Sequence, residues 1–461
     1  MKRIRAVSIP TLIALVTMIA PVHGQSPDHS RLALTLDSLV RAHVEDTLVA
    51  GVAVGVVQDG DTLLLQGYGV ADLEWDVPMA TDAVFEIGSV TKQFTAAAVM
   101  RLVEEGKIDL DADVTTYLPD YDTQGRHIPI RRLLDHTSGI KGYTEMPAFG
   151  EIVMRDLPRD SLVARFEAVP LEFEPGTAEI YNNSAYFLLG LVIEEASGEP
   201  YGEYVATHFF EPLGMSRSYY CDQDAVVARR AHGYDQGPEG LRQKGYLNHL
   251  WPYAAGSLCS TAGDLVRWNQ ALHGGEVVSD GSYRTMTTPR PLVDGTPIRY
   301  AGGLMVFDDG GRRAITHGGG INGFLSDTWV YPDRGLIVVV LQNTAGRRGP
   351  GLLARALVEA VIGPGDAPTA GTFAGDLHGL TGTYRGPSRG RELTVEVSVE
   401  DGALALTPQG ASSPATPMYR DGTRWQAGNT FWMFEVQADG RATTLRMDTG
   451  GGHYVLKRVE G

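Results

Sequence analysis

The sequence predicts an α/β (α+β) fold in which helices flank an antiparallel sheet, a mostly helical region is inserted into that sheet, and a small all-β barrel follows. Three observations support this prediction: a hairpin pattern near residue 60, a return of strand patterns after residue 300, and a carboxy-terminal run of short strands separated by Asp-Gly turns. With 461 residues, the chain is long enough for more than one domain of ~100–200 residues.

Residues 1–24 have the pattern of a secretory signal peptide. Lys2, Arg3 and Arg5 precede an apolar stretch at 6–20, and an expected cleavage point follows near Gln25. The alternative is a membrane anchor, but the apolar stretch contains Pro10 and is shorter than the ~20 residues that a spanning helix needs. We therefore expect a soluble, periplasmic or secreted protein whose first domain covers residues 25–362.

That domain is predicted to begin with a hairpin and a long helix. Apolar residues alternate at 51–57 and 62–69 around a turn that contains Asp59-Gly60, which is typical of two antiparallel strands. At 89–105 the apolar period becomes helical, and Gly106 stands where a helix C-cap belongs.

The rest of the domain is predicted to be helical first and stranded later. Helical patterns dominate 108–272, and strand patterns return at 302–307, 313–316, 326–331 and 336–342 before a helix at 351–362. The unbroken apolar run at 336–341 is typical of a buried strand.

Composition predicts a linker at 363–375 and a second domain at 376–461. The linker is rich in Gly and Pro, and the second domain has short strand patterns separated by Asp401-Gly402, Asp421-Gly422 and Asp439-Gly440. We expect a small meander barrel there.

Net charge and cysteine content limit the partners and the compartment. A formal net charge of −17 without a basic run disfavours nucleic acid and anionic lipid, and favours a small-molecule or peptide substrate. The histidines have no paired metal-ligand spacing, so we expect no metal and no other cofactor. An oxidising compartment would allow Cys221 and Cys259 to pair, although two free thiols remain an alternative. No pattern predicts an oligomeric state.

Ser89-Val90-Thr91-Lys92 is the strongest candidate for catalytic chemistry. A hydroxyl and an amine three residues apart at the start of a helix project from one face, so Lys92 is placed to take the Ser89 proton. Lysine serves as a base only if burial lowers its pKa from ~10.4 toward neutrality. The spacing alone is common, and its other explanation is a helix cap beside a solvated lysine.

Two other motif matches fail on context. Residues 318–323 fit a dinucleotide fingerprint by letters, and 386–390 fit a nucleophile elbow, but strand patterns rather than helices follow both.

Taken together, several motifs resemble the serine β-lactamase and penicillin-binding-protein superfamily, in particular its class C-like branch of esterases and D-aminopeptidases. The motifs stand in the family's order over about residues 30–362: Phe85-Glu-Ile-Gly-Ser-Val-Thr-Lys92, Leu133-Leu-Asp-His-Thr-Ser-Gly139, Tyr181-Asn-Asn183, Pro212-Leu-Gly-Met215 and His317-Gly-Gly319. The segment after the linker resembles the lipocalin-like barrels of some members, with Leu380-Thr-Gly-Thr-Tyr384 as its opening strand. Such a barrel would shape the substrate entrance, bridge subunits or simply stabilise the protein.

The resemblance implies a role for each matched position. Ser89 would be the acylated nucleophile, Lys92 its base, and Tyr181 the residue that moves a proton to the leaving group and activates the deacylating water. Asn183 would bind the substrate amide and the lysine, while the backbone N–H groups of Ser89 and Gly320, beside Gly319, would form the oxyanion hole. Packing roles for Tyr181 and Asn183 are the alternatives, and His136 is expected to be structural.

One departure from the family pattern limits the substrate prediction. Many β-lactamases have a lysine where this chain has His317, and a neutral imidazole does not replace that fixed positive charge. We therefore expect an exported serine hydrolase of D-residue peptides, cell-wall fragments or small esters. The alternatives are a weak β-lactamase and a non-catalytic protein that binds wall fragments. Loop position suggests that Tyr143, Trp251 and Tyr253 line the pocket.

Overall fold

The computed structural model describes residues 27–45, 49–147, 149–222, 224–422 and 424–459. The predicted signal peptide, residues 1–24, lies outside the described residues. Among the helices that are described, none combines the length and apolar composition needed to cross a membrane.

The chain up to residue 362 contains helices and strands in alternation. Its α-helices are α1 (Pro27–Glu45), α2 (Thr91–Glu104), α3 (Ile130–Leu134), α4 (Phe149–Ile152), α5 (Arg159–Glu167), α6 (Asn183–Ser197), α7 (Tyr201–Val205), α8 (Tyr253–Gly256), α9 (Ala262–His273), α10 (Asp280–Thr287) and α11 (Pro350–Ile362). Its strands are β1 (Gly51–Gln58), β2 (Asp61–Asp72), β3 (Val77–Pro78), β4 (Phe85–Glu86), β5 (Glu179–Ile180), β6 (Tyr219–Tyr220), β7 (Tyr234–Gly237), β8 (Gly240–Gln243), β9 (Leu258–Ser260), β10 (Met305–Asp308), β11 (Arg313–Ile321), β12 (Phe324–Tyr331), β13 (Leu336–Gln342) and β14 (Thr344–Ala345).

A seven-stranded antiparallel sheet forms the centre of this domain, with strand order β10-β11-β12-β13-β1-β2-β3. The predicted hairpin is β1 and β2, and its turn residues Asp59 and Gly60 both have positive φ, at 51° and 88°, as a two-residue turn between twisted strands requires. The sheet flanked by helices and the helical region inserted between β3 and β10 are confirmed.

Alternate residues of β13 pack in two different hydrophobic cores, which explains its unbroken apolar run. Leu336, Val338 and Val340 face the core beneath α1 and α11. The intervening residues face the larger core that contains the apolar side chains of α2, α6 and α9. The larger core holds α2 against the sheet.

The strand predicted at 302–307 begins later than expected. Gly303 has a φ of +73°, which lies outside the strand region, and β10 therefore starts at Met305.

The remainder of the chain forms an all-β unit, as predicted. Its strands are β15 (Gly382–Ser388), β16 (Arg391–Glu400), β17 (Ala403–Pro408), β18 (Met418–Asp421), β19 (Arg424–Ala427), β20 (Thr430–Val436), β21 (Ala442–Thr449) and β22 (Gly452–Val459). They make one curled antiparallel sheet around a core that includes Trp425, Trp432 and Leu456. Among the described residues, the end strands β17 and β18 do not pair with each other, so the sheet is a half-barrel. The short strand β5 of the first domain pairs with β22 and joins the two domains.

Candidate active site

Ser89 lies in a 3₁₀ turn, Gly88–Val90, that leads directly into α2. Gly88 has a φ of +51°, and a Cβ there would lie 2.9 Å from the backbone nitrogen of Gly320. Only glycine allows this turn to pack so closely against β11. The sequence thereby places Ser89 between a helix start and the edge of the central sheet.

The Lys92 side chain is fully buried and its Nζ has three close neighbours. Nζ lies 3.2 Å from Ser89 Oγ, 2.7 Å from Asn183 Oδ1 and 2.8 Å from the carbonyl oxygen of Ala255. The amide and carbonyl oxygens can only accept hydrogen bonds. If the amine is neutral, its two hydrogens go to these two oxygens, and its lone pair is left for the Ser89 hydroxyl.

The surroundings of Lys92 favour the neutral amine. Burial lowers the pKa of Lys92 well below its usual range, and the positive charge of Arg389 lowers it further, while Glu145 acts in the opposite direction. Lys92 is therefore suited to accept the Ser89 proton.

Tyr181 lies against the amine of Lys92 and beside Ser89. Lys92 Nζ is 4.7 Å from the centre of the Tyr181 ring. Burial raises the pKa of Tyr181, although the Ser89 hydroxyl and Arg389 oppose the rise, so the phenol is protonated at neutral pH. Its buried hydroxyl has no partner of hydrogen-bond geometry among the described residues, and a proton donor in this state can serve a bound substrate.

His136 holds the position of Tyr181. Its ring is 4.4 Å from the Tyr181 ring, and its Nδ1 accepts the backbone N–H of Asn182 at 3.2 Å. Burial lowers the pKa of His136 well below its usual value, and Lys92 adds to this effect. The imidazole is neutral and packs behind the tyrosine.

Asn183 connects the lysine to a chain of polar side chains. Its Nδ2 donates to Thr144 Oγ1 at 3.0 Å, and Thr144 Oγ1 donates to Glu145 Oε2 at 2.8 Å. Arg389, from the turn between β15 and β16, donates from Nε to Glu145 Oε1 at 2.6 Å. Its guanidinium carbon lies 5.0 Å from the centre of the Tyr181 ring. A residue of the second domain is thus part of this site.

His317 lies on β11 and is buried. Its Nδ1 is 2.6 Å from the carbonyl oxygen of Gly318, and its Nε2 is 2.8 Å from the Tyr300 hydroxyl. Burial lowers the pKa of His317 to about 3, with a further contribution from Lys92. Nδ1 therefore carries the hydrogen, and Nε2 accepts from Tyr300. This neutral histidine does not supply a fixed cation.

The glycines after His317 bring β11 next to the Ser89 backbone. A Cβ on Gly319 would lie closer than 3.0 Å to both the Ile87 carbonyl oxygen and Ser326 Oγ, and 3.1 Å from the Ser89 nitrogen. Gly320 follows at the same edge of the sheet. The arrangement can place two backbone N–H groups around one carbonyl oxygen, as an oxyanion hole requires.

The other residues singled out from the sequence form a disulfide or pack in the hydrophobic core. A disulfide joins Cys221 to Cys259, which are 5.2 Å apart at Cα. The expectation for Tyr143, Trp251 and Tyr253 is wrong, because their side chains are buried in the main core.

The described residues contain one group with metal-ligand spacing, formed by Asp72, Glu74 and His232. Protein contacts account for Glu74, since Tyr234 and Gln243 donate hydrogen bonds to its carboxylate at 2.5 and 2.7 Å.

Sequence reasoning missed Thr144, Glu145, Tyr300 and Arg389. Thr144 and Glu145 lie between two of the family motifs. Nothing in the local sequence indicates that Arg389 contacts Glu145, which precedes it by 244 residues.

Comparisons with known proteins identify a family and several relatives. The family described as Beta-lactamase matches residues 36–361. A D-aminopeptidase from Brucella anthropi is 27% identical over 403 residues, which cover 84% of this chain and 75% of that protein. The structure of a D-amino acid amidase from Ochrobactrum anthropi SV3, complexed with D-phenylalanine, is 26% identical with a TM-score of 0.65, covering 72% of this chain and 99% of that one. An octameric penicillin-binding protein homologue from Pyrococcus abyssi shares the fold over 91% of this chain and 99% of its own, with a TM-score of 0.64 and 24% identity.

Proposed function

The chain belongs to the β-lactamase family and is a serine hydrolase, and on this basis we propose that it is an exported enzyme that hydrolyses amides or peptides of D-amino acids through an acyl-Ser89 intermediate. The observation that carries the proposal is the buried Lys92 amine, which lies 3.2 Å from Ser89 Oγ. Its other two hydrogen-bond partners, the Asn183 side-chain oxygen and the Ala255 carbonyl oxygen, can only accept hydrogen bonds. The similarity to a D-aminopeptidase and a D-amino acid amidase supports the choice of D-residue substrates. The leader-like residues 1–24 support export.

In the proposed reaction, Ser89 Oγ attacks the substrate carbonyl and its proton passes to the Lys92 lone pair. The Ser89 and Gly320 N–H groups stabilise the oxyanion, each for about 3–4 kcal/mol. Tyr181 delivers a proton to the departing amine, so that the carbon–nitrogen bond breaks and the acyl group remains on Ser89. The proton on Lys92 then returns to Tyr181. In the second half of the reaction, a water molecule passes a proton through Tyr181 to Lys92 as its oxygen attacks the acyl carbon. Ser89 Oγ recovers that proton when the acid is released.

The neutral His317 argues against efficient β-lactam turnover. Many β-lactamases attract the carboxylate of the antibiotic with a lysine at this position, whereas His317 donates to Gly318 and accepts from Tyr300. We therefore place amide and peptide substrates ahead of β-lactams.

Labelling with a fluorophosphonate tests the nucleophile. Wild type is expected to gain one covalent adduct, and Ser89→Ala and Lys92→Ala to gain none. Ser398→Ala is a matched control, because the Ser398 hydroxyl donates to exposed Glu400 in the second domain, and this variant should label like wild type. Equal labelling of Ser89→Ala and wild type would disprove the acyl-Ser89 intermediate.

Hydrolysis of N-acetyl-D-alanine p-nitroanilide and its L enantiomer tests the substrate class. The D form is expected to be cleaved with the higher kcat/KM. A preference for the L form would reject the D-residue assignment without affecting the nucleophile. Sequencing the amino terminus of the periplasmic or secreted protein tests export, and an intact Met1 would contradict it.

A further inference from the structure

The turn between β15 and β16 brings the second domain into the active site. Ser388 pairs with Arg391, which leaves a two-residue turn of Arg389 and Gly390. Gly390 has a φ of +76°, and a Cβ there would lie 2.9 Å from Cβ and Cγ of Glu145. Glycine therefore lets the turn lie directly on Glu145 and hold Arg389 in place.

The guanidinium of Arg389 is anchored at one edge and free at the other. Nε donates to Glu145 at 2.6 Å, and the group lies over the ring of Tyr181. Its two Nη groups have no hydrogen-bond partner among the described residues, and 42% of the side chain is exposed. Four N–H donors, held beside the catalytic tyrosine, remain accessible to a ligand.

Both oxygens of Glu145 are already used. Oε1 accepts from Arg389, Oε2 accepts from Thr144, and only 12% of the side chain is exposed. A substrate that meets the Arg389–Glu145 pair therefore finds the hydrogen-bond donors of the guanidinium, whose positive charge is partly balanced by Glu145. It does not find a free carboxylate. His317, which faces Tyr181 from β11, is neutral and adds no cation.

We propose that Arg389 is a specificity-determining residue that binds a carboxylate of the substrate through its two Nη groups, on the side of the site where Thr144 and Asn183 lie. A planar guanidinium matches a carboxylate with two parallel hydrogen bonds. The proposal rests on the acyl-Ser89 function and narrows its substrates to D-residue amides or peptides that have a carboxylate near the scissile bond. The second domain then selects the substrate, while the first performs the chemistry.

Ligand binding to full-length Ser89→Ala protein tests this without turnover. The two ligands are N-succinyl-D-alanine amide and the methyl ester of its succinyl carboxylate, compared by isothermal titration calorimetry. The anionic ligand is expected to bind about tenfold more tightly, close to the low end for a single charge-assisted hydrogen bond, because the guanidinium is partly exposed to solvent. In the double variant Ser89→Ala/Arg389→Ala, the two ligands should bind with equal affinity.

Two further variants separate recognition from a bracing role. Arg389→Lys keeps a cation beside Glu145 without the two Nη groups, so the preference should fall while the melting temperature stays close to that of the parent. Arg385→Ala is the matched control, since Arg385 lies on the same hairpin and pairs with exposed Glu392, and it should retain the full preference.

Equal affinities for the two ligands in Ser89→Ala protein, or an unchanged preference after Arg389→Ala, would overturn the proposal. A fall in melting temperature with unchanged ligand preference would assign Arg389 to bracing alone and would also overturn it. These outcomes are distinct from failure of the proposed function, which is read from fluorophosphonate labelling and hydrolysis by the wild-type enzyme.

Discussion

Replacing Gly319 by alanine should disable acylation without unfolding the protein. The added methyl group would lie closer than 3.0 Å to the Ile87 carbonyl oxygen and to Ser326 Oγ, where ordinary contact begins at 3.4 Å. Ser326 Oγ donates to that same carbonyl at 2.8 Å, so the hydrogen bond has to break or β11 has to move away from Ser89.

The expected magnitude follows from the two consequences of that movement. Overpacking a tight contact typically lowers the free energy of unfolding by about 1–3 kcal/mol, which a domain of this size tolerates. Loss of alignment of one oxyanion donor lowers kcat by about 10²–10³-fold. We expect the acylation rate of Gly319→Ala to fall by about 10²-fold.

Neighbouring glycines supply the controls. A Cβ on Gly318 would meet its nearest atom at 3.6 Å, and one on Gly320 at 3.4 Å, so alanine fits at both positions and keeps the backbone N–H. Stopped-flow labelling with a fluorophosphonate measures the acylation rate of wild type and of the three alanine variants, and a thermal melt of each checks that it is folded. Wild-type acylation by folded Gly319→Ala would refute the reasoning, and so would equal losses in all three variants.

The Tyr181 hydroxyl, the His317 imidazole and the Cys221–Cys259 disulfide can each be tested separately. Tyr181→Phe keeps the ring contact with His136 but removes the proton donor, so kcat should fall by about 10²-fold or more at an unchanged melting temperature; normal turnover with a lowered melting temperature would instead indicate packing alone. The pKa of His317 is about 3 in the folded protein and about 6.5 in the unfolded chain, so the unfolded chain binds more protons between these pH values. The contribution of His317 to the free energy of unfolding is therefore lost as the pH falls from 6.5 toward 3. Nuclear magnetic resonance of its imidazole should show a neutral ring at pH 5, and a protonated ring would contradict the assignment. Replacing both Cys221 and Cys259 by serine opens a loop of 38 residues and should lower the free energy of unfolding by about 4 kcal/mol in urea titrations, whereas an unchanged value would contradict a structural role.

Local patterns predicted the parts of the fold that local physics determines. Asp59-Gly60 requires a turn with two positive φ values, and the run from Leu336 to Leu341 is apolar because the two faces of β13 contribute to different cores. The Ser89–Lys92 spacing is likewise a property of one helical turn, and both side chains meet as that spacing requires.

Features that depend on contacts between distant segments were not predictable in this way. The late start of β10 depends on the positive φ of Gly303, whose Cβ would collide with the Lys92 carbonyl oxygen. Arg389 reaches Glu145 only because two domains pack together, and the pattern of residues 386–390 indicates no more than a loop. The prediction that Tyr143, Trp251 and Tyr253 line the pocket was also wrong, since an aromatic residue in a loop can equally pack in the hydrophobic core.

The second domain contacts the backbone at Tyr181 and also contributes to the charge around its ring. The backbone N–H of Tyr181 donates to the Gly451 carbonyl oxygen at 3.1 Å, and the preceding residue, Ile180, pairs with Gly452 in β22. Ion pairs from Arg446 to Asp294 and from Arg299 to Asp448 fix the same edge. Because these bonds act on the backbone next to Tyr181, a shift of the half-barrel would move the phenol relative to Ser89, and even a displacement of about 1 Å can cost about 10²-fold in rate. We therefore expect catalysis to depend on domain packing in this protein, with the half-barrel contributing to the candidate active site rather than serving as a separate appendage.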